Sequence, residues 1–453
     1  MQENKFSDIK QIGRTDEIVK YILQKNVELI CRIVKAQGFI KLDLSKIHIT
    51  DDHIESIIKV LTECPHITCI DLSSNKITHK GIEILSNFLK LNQTLETVDL
   101  SRNELNSAGL KIVANMLNEN QSIKTLNLSH ILWDIDITGV EMLKEALKNN
   151  QSLLALFFDG NVPVGHLPYY NPIIASWFVK LNSYGDQIVS LMCEALKVNT
   201  TLKTLSLKNN GITDTGLEEL VHSLLENQTL VDLRLGNNFN YRLTMGTPAT
   251  QASIFNNQSA EQLATLIKKN KSLRKLTIAR CQFGFTSAGI ALMIDALQQN
   301  STLVLVDFSN VGVHVDGFNF GRGYLLSQAL VTNWNLLDAY PSSSEVQKLI
   351  ERNRSNAEAL AKKLTENQYG SISLNQEEII NLNKCQSAVI EVLKVTFQKS
   401  ENEIHDLIKP YQTTINIGES TSSIDCTINM PMDDTNSLSS SKSKKSGFFC
   451  AIS

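Results

Sequence analysis

The chain repeats itself, and a chain that repeats at a fixed short interval folds as stacked units that share a continuous core. The strings are LDLSKIHI from Leu42, IDLSSNKI from Ile70, VDLSRNEL from Val98, LNLSHI from Leu126, LSLKNNGI from Leu205 and LRLGNN from Leu233. Weaker copies are LFFDGN from Leu156, LTIARC from Leu276 and VDFSNV from Val306, nine in all. Steps of 28 residues separate 42, 70, 98 and 126, and again 205 and 233. Steps of 30 separate 126 from 156 and 276 from 306. The longer steps, 49 from 156 to 205 and 43 from 233 to 276, carry insertions.

Each copy reads L-x-x-L-x-L-x-x-N and runs on into a helical stretch. In the third copy these positions are Leu95, Val98, Leu100 and Asn103, then Leu110, Val113, Ala114 and Leu117. Val98 and Leu100 have period two, so both face one side of a short strand. The later apolar residues recur at helical spacing. One strand and one helix cannot bury their apolar faces alone, but stacked neighbours can, with the strands in a parallel sheet. Asn75, Asn103, Asn161, Asn210 and Asn238 stand where the backbone leaves the strand. There an amide side chain can bond main-chain groups of the next turn. Cys281 takes that slot in the eighth copy.

This pattern resembles the ribonuclease-inhibitor-like class of leucine-rich repeats. The resemblance implies an α/β fold: a right-handed solenoid, or horseshoe, with a parallel concave sheet, convex helices and here a helical C-terminal extension. The division that follows is a helical cap over 1–38, repeats over 39–340, a helical cap or extension over 341–410, and a tail over 411–453. The N-terminal cap rests on the helical spacing of Ile18, Tyr21, Ile22, Leu29 and Ile33. Beyond the repeats come two helical stretches, 344–368 and 375–408. The first holds Ile350, Arg352 and Asn353, which resemble the last-repeat cap of such proteins.

N-x-S/T recurs at Asn92, Asn120, Asn150, Asn199, Asn227, Asn270 and Asn300. Each ends a helix just before a strand, so these asparagines are expected as left-handed helix caps, not glycan acceptors.

Function is sought on the concave face and in the insertions, because long loops on a rigid scaffold are frequent recognition sites. The insertions fall near 162–185 and 239–259. The first carries Tyr169, Tyr170, Trp177, Phe178 and Tyr184, either partner contacts or packing against neighbouring repeats. The concave column reads Asp43, Asp71, Asp99, Asn127, Phe157, Ser206, Arg234, Thr277 and Asp307. Its aspartates are either a structural feature of the repeat or a patch for a basic partner. Phe157 and Arg234 break the pattern and are the stronger candidates for specificity.

The tail is polar and Ser/Thr/Asn-rich, a composition that cannot bury enough surface to fold. It closes on Cys450-Ala451-Ile452-Ser453, which fits the C-a-a-X prenylation box, with Ser pointing to farnesyl. Lys442, Lys444 and Lys445 precede it. One lipid chain plus a basic cluster gives reversible attachment to an anionic leaflet. The expected location is the cytosolic face of a eukaryotic membrane.

Other classes are disfavoured. Net charge is −4, so no overall field draws nucleic acid. The eight cysteines form no C-x-x-C pair or zinc spacing, which fits a reducing compartment. The N-terminus lacks the apolar core of a signal peptide, and no apolar run reaches 18 residues. No phosphate-binding, dinucleotide-binding, HExxH or GxSxG motif occurs. The expectation is therefore a non-enzyme with no cofactor, metal or small-molecule substrate, whose partner is a protein. The Asn- and Lys-rich junctions resemble eukaryotic-like effectors of intracellular bacteria of the Legionella type. Two alternatives are a ubiquitin-ligase substrate receptor and, through Arg102, a small-GTPase regulator by analogy with the Ran GTPase-activating protein.

Overall fold

The computed structural model describes residues 12–412 apart from 14–15, 133, 135, 162–173, 237, 239–256, 280–281, 284–286, 309–311, 316–317, 320–323, 341–342 and 367–373. Residues up to Pro410 form one unit, and a second runs from Tyr411 to Ser453. The fold is an α/β leucine-rich-repeat solenoid. Nine strands follow the nine repeats: β2 (Lys41–Asp43), β3 (Cys69–Asp71), β4 (Thr97–Asp99), β5 (Thr125–Asn127), β6 (Ala155–Phe157), β7 (Thr204–Ser206), β8 (Asp232–Arg234), β9 (Lys275–Thr277) and β11 (Leu305–Asp307). They lie side by side, all parallel, in one sheet that β1 (Ile12–Gly13) and β14 (Asp338–Tyr340) extend at its two ends. Leu42, Ile70, Val98 and Leu126 are in register on adjacent strands. A three-stranded sheet of β10 (Gln282–Phe283), β12 (Gly312–Val315) and β13 (Phe318–Asn319) lies outside the main one.

Helices return the chain between strands: α3 (Ile54–Glu63), α4 (His79–Leu91), α5 (Asn106–Glu119), α6 (Thr138–Asn149), α7 (Ile174–Leu196), α8 (Asp214–Glu226), α9 (Asn257–Lys269), α10 (Ser287–Gln299) and α11 (Tyr324–Leu330). Leu95, Val98, Leu100, Leu110, Val113 and Leu117 are all fully buried between sheet and helices. Each such side chain contributes about 1.5–3 kcal/mol on leaving water. No repeat has this core without its neighbours.

The N-terminal segment holds α1 (Asp16–Leu23) and α2 (Val27–Gln37), which add Ile18, Ile22, Ile30 and Val34 to the same core. Gly38 ends α2 at φ 62°, a left-handed cap with no Cβ to clash. After β14 come α12 (Ser344–Glu366), α13 (Gln376–Lys384), α14 (Gln386–Val395) and α15 (Glu401–Gln412). The second stretch beyond the repeats is thus three short helices. Arg352 on α12 donates to the carbonyls of Leu330 (2.8 Å) and Val331 (3.3 Å), and Asn353 to those of Asn333 (3.0 Å) and Leu336 (2.9 Å). These bonds satisfy carbonyls at the end of the stack that no further repeat covers.

Two ladders of asparagine run through the stack. At the strand exits, Asn103 Nδ2 donates to Leu100 in its own repeat (3.0 Å) and Leu72 in the preceding one (2.9 Å). Its Oδ1 accepts from Ile77 N at 3.1 Å. The groups served therefore belong to its own turn and the preceding one, not the next one. At the helix ends, Asn120 Nδ2 donates to Leu89 O (2.6 Å), and its Oδ1 accepts from Ser122 N (3.0 Å) and Ile123 N (2.8 Å). Asn150, Asn199, Asn227, Asn270 and Asn300 donate to the preceding repeat in the same way. Their backbones are not left-handed: the caps Asn92, Asn120, Asn150 and Asn227 have φ between −71° and −78° and extended ψ. The side-chain bonds fix asparagine here, and Asn120, Asn150, Asn199, Asn227, Asn270 and Asn300 are buried.

Candidate functional site

The sheet has one face against the helices and one face without them, and alternate residues of each strand point to the second. On it, each of the first three aspartates bonds the amide two residues on: Asp43 Oδ1 with Ser45 N (3.0 Å), Asp71 with Ser73 N (3.0 Å), Asp99 with Ser101 N (2.8 Å). These are Asx turns that shape the strand exit. Lys41 Nζ lies 3.6 Å from Asp71 Oδ2, and Asn127 Nδ2 donates to Asp99 Oδ2 at 2.9 Å. Asp71 and Asp99 are buried, so the column is a structural feature of the repeat more than a free acidic patch.

Burial, and after it the charge of Asp71, pushes the Asp99 carboxyl up to about 6. An unfolded Asp titrates near about 4. Folding therefore favours the protonated form. Asp99's contribution to stability is fully present below about pH 4 and is lost as pH rises through about 6. Asp71→Asn is expected to lower the Asp99 midpoint, read from its side-chain carbon shift by NMR. An unchanged midpoint would mean that the Asp71 charge does not reach it.

The middle of the face is different. Phe157, Ser206 and Arg234 are in register on β6, β7 and β8. The Arg234 guanidinium carbon is 5.5 Å from the centroid of the Phe157 ring, within cation–π range. Ser206, between them, is fully buried. Arg234 also forks onto Asp232, with Nη2–Oδ2 at 2.8 Å and Nε 3.2 Å from each carboxylate oxygen. Asp159 Oδ1 accepts from Ser206 Oγ (2.6 Å) and Lys208 N (2.9 Å). Burial raises the Asp159 carboxyl, and these two bonds oppose it. The result is a half-buried aromatic face and cation held in fixed geometry. It is suited to an interface anchor. Asp159, Asp232 and Lys208 were not among the sequence candidates. Only their spacing from the strand residues marks them.

The aromatic insertion needs correcting. Tyr184 does not face a partner. It lies on α7, 3% exposed, among the helix-packed core, with its hydroxyl 3.5 Å from the Asp136 carbonyl. The second half of the insertion lengthens a helix instead of forming a loop, and a tyrosine on that helix's inner side packs into the stack. Trp177 and Phe178 fall on the same helix, but their side chains lie outside the described residues. Tyr169, Tyr170, Cys281 and Cys450 also lie outside them. Arg102 is an exposed turn residue at φ 56° whose amide donates to Ser129 O at 2.9 Å. Among the described residues, no three His, Cys, Asp or Glu side chains are grouped to hold a metal. No described helix is long and apolar enough to cross a membrane.

The chain carries leucine-rich repeats: the model of that family, described as Leucine Rich repeat, matches residues 63–86, 91–114 and 198–221. Among curated proteins it is similar to leiomodin-1 of Rattus norvegicus and of Homo sapiens, 27% identical over 107 residues. It is also similar to tropomodulin-4 of Mus musculus, 28% identical over 105 residues. The matches cover 24% and 21% of this chain, and only 16% of leiomodin-1 and 30% of tropomodulin-4. A solved structure titled "Leiomodin-1 Actin-Binding Site 2 (ABS2)" covers 52% of the chain, and 99% of itself, at 16% identity and a TM-score of 0.32.

Proposed function

We propose that this protein is a protein-interaction scaffold without chemistry of its own, which seats a protein partner on the helix-free face of its sheet. The observation that carries this reading is the Phe157–Arg234 pair. An aromatic and a guanidinium sit together, half-buried and braced by Asp232, on a rigid sheet. Aromatic and arginine anchors in rigid, desolvated surroundings are where interface energy concentrates. The test is quantitative affinity capture by wild-type chain, by Phe157→Ala with Arg234→Glu, and by Lys80→Glu on the opposite side as control. The reading requires a protein retained by wild type and control and lost with the double variant. Leiomodin-1 has a segment named for binding actin, so purified actin is one defined probe.

The same reading includes a tether. Where Ser453 is the carboxyl terminus, Cys450 is the site of a prenyl group, and Lys442, Lys444 and Lys445 add roughly 1 kcal/mol each near an anionic leaflet. The membrane concerned is the cytosolic face of a eukaryotic one. Cys450→Ser is expected to move the protein from membrane to soluble fractions and to abolish metabolic labelling with a prenyl-alcohol analogue. Unchanged fractionation would remove the tether and leave the scaffold standing.

A further inference from the structure

The residue just before each strand forms a row along the entry edge of the sheet, because each of these amides donates to its counterpart one repeat back. The row runs Lys124 to Glu96, Leu154 to Lys124, Lys203 to Leu154, Val231 to Lys203, Arg274 to Val231, Val304 to Arg274 and Leu337 to Val304, all at 2.7–2.8 Å. Apolar members in the first half are open: Ile40 is 38% and Leu154 39% exposed. Val304, in the second half, is 2% exposed.

The C-terminal helices cover that second half. Asn335 Nδ2 donates to Lys384 O at 2.8 Å, and Ser387 N returns a bond to Asn335 Oδ1 at 3.1 Å. Ser387 Oγ donates to Ser301 O at 2.7 Å. Four residues on, Glu391 Oε1 lies 3.3 Å from Lys275 Nζ, on the helix-free face. Glu401, on α15, pairs with Lys394 of the same segment at 3.0 Å. The edge is cationic at β9, through Arg274 and Lys275, and α14 meets it with Glu391.

These helices are not part of the spine. The continuous core runs from Ile18 to Ile350. Leu360, Leu364, Leu382, Val389, Val392 and Leu393 are buried but stand outside it, and so does Val304. The C-terminal helices thus have a small core of their own, shared with α12, and meet the repeats through polar bonds and the Lys275–Glu391 ion pair. Loss of such a cover leaves the spine's buried side chains in place, which is the condition for separate local opening.

We propose that α14 is an intramolecular ligand on a docking surface formed by α12 and the cationic entry edge of β9–β11, and that this surface takes a partner's carboxylate-bearing amphipathic helix in its place. The partner helix must reproduce what α14 supplies. That is an apolar stripe spaced like Ala388, Val389, Val392 and Leu393 to pack on α12, with a carboxylate placed like Glu391 to meet Lys275. The surface adjoins the Phe157–Arg234 pair, since Lys275 is in register with Asp232, but the peptide test below changes neither Phe157 nor Arg234 and is read without them.

The test uses the full chain and a fluorescent synthetic peptide of residues 384–412. Wild-type chain, its own helices seated, is expected to bind the peptide weakly. A chain carrying Glu391→Lys and Val392→Asp loses its cover and should bind the same peptide at least tenfold tighter. Adding Lys275→Glu to that chain should remove the gain, and a peptide carrying Glu391→Lys should restore it. Hydrogen exchange at β3–β5 reports that the spine remains folded. Equal peptide affinity for the wild-type and uncovered chains, with β3–β5 still protected, would overturn the proposal.

Discussion

Asn103→Ala is expected to destabilise the fold by about 3–5 kcal/mol, a loss of the size otherwise seen for a large core cavity. Asn103 is fully buried and bonds the carbonyls of Leu72 and Leu100 and the amide of Ile77. Alanine takes this partner from the Leu100 carbonyl and the Ile77 amide, in a place water does not reach, while the Leu72 carbonyl keeps Asn75 Nδ2 at 2.9 Å. An unpaired buried polar group costs about 1–3 kcal/mol, so these two set the estimate. Leucine would fill the volume and do no better, because the missing item is polar. Glu104→Ala, one residue on and exposed, should stay within about 0.5 kcal/mol of wild type. Urea denaturation followed by circular dichroism measures both. Near-equal midpoints for the two variants would mean that the asparagine ladder is not what holds neighbouring strand exits together.

The second large effect concerns binding. Phe157→Ala or Arg234→Glu should each weaken capture of the partner by about 2 kcal/mol or more, roughly 30-fold. The two act together, since the ring holds the guanidinium at 5.5 Å and Asp232 holds its other side. Removing the ring takes away one of the two sides that fix the guanidinium, and reversing the charge sets a glutamate beside Asp232. A double-mutant cycle by calorimetry should therefore be non-additive. Strict additivity would indicate that the partner reads the two residues separately.

Much of the fold was legible in the sequence, for a definite physical reason. A period of 28 residues with two inward apolar positions per strand leaves one way to bury them, and strands β2–β9 and β11 lie where the repeats put them. Contacts that break the period were not legible. β1 and β14 pair through backbone bonds that ask little of their side chains. The small sheet of β10, β12 and β13 forms between turns that share no common string. The docking of α14 depends on residues 49 to 116 positions away. One repeated signal was present and unread. A glycine opens the helix in GIEIL from Gly81 and GLEEL from Gly216. A Cβ there would strike Asp51 or Asp186, and each of these carboxylates holds the threonine, Thr78 or Thr213, that caps the same helix.

The site was legible in part. Phe157 and Arg234 stood out because they interrupt a column of Asp, Asn and Ser, and the fold brings them together across Ser206. The aspartates carried two readings, repeat structure or a patch for a basic partner, and they act as turn acceptors. The insertion aromatics likewise carried two, packing or partner contact, and the helix that carries Tyr184 turns it inward to pack. In both cases the residue type allowed either role, and its direction, which only the packed structure sets, decided between them.

Site-specific photo-crosslinking tests the central claim most directly. A benzophenone amino acid is placed at Phe157 on the helix-free face and, separately, at Lys80 on α4, and the chain is irradiated in the presence of its captured partner. The account expects a covalent adduct with that partner from position 157 and none from position 80. Adducts from position 80 with none from position 157 would contradict it, because the partner would then be gripped by the helices and not by the sheet.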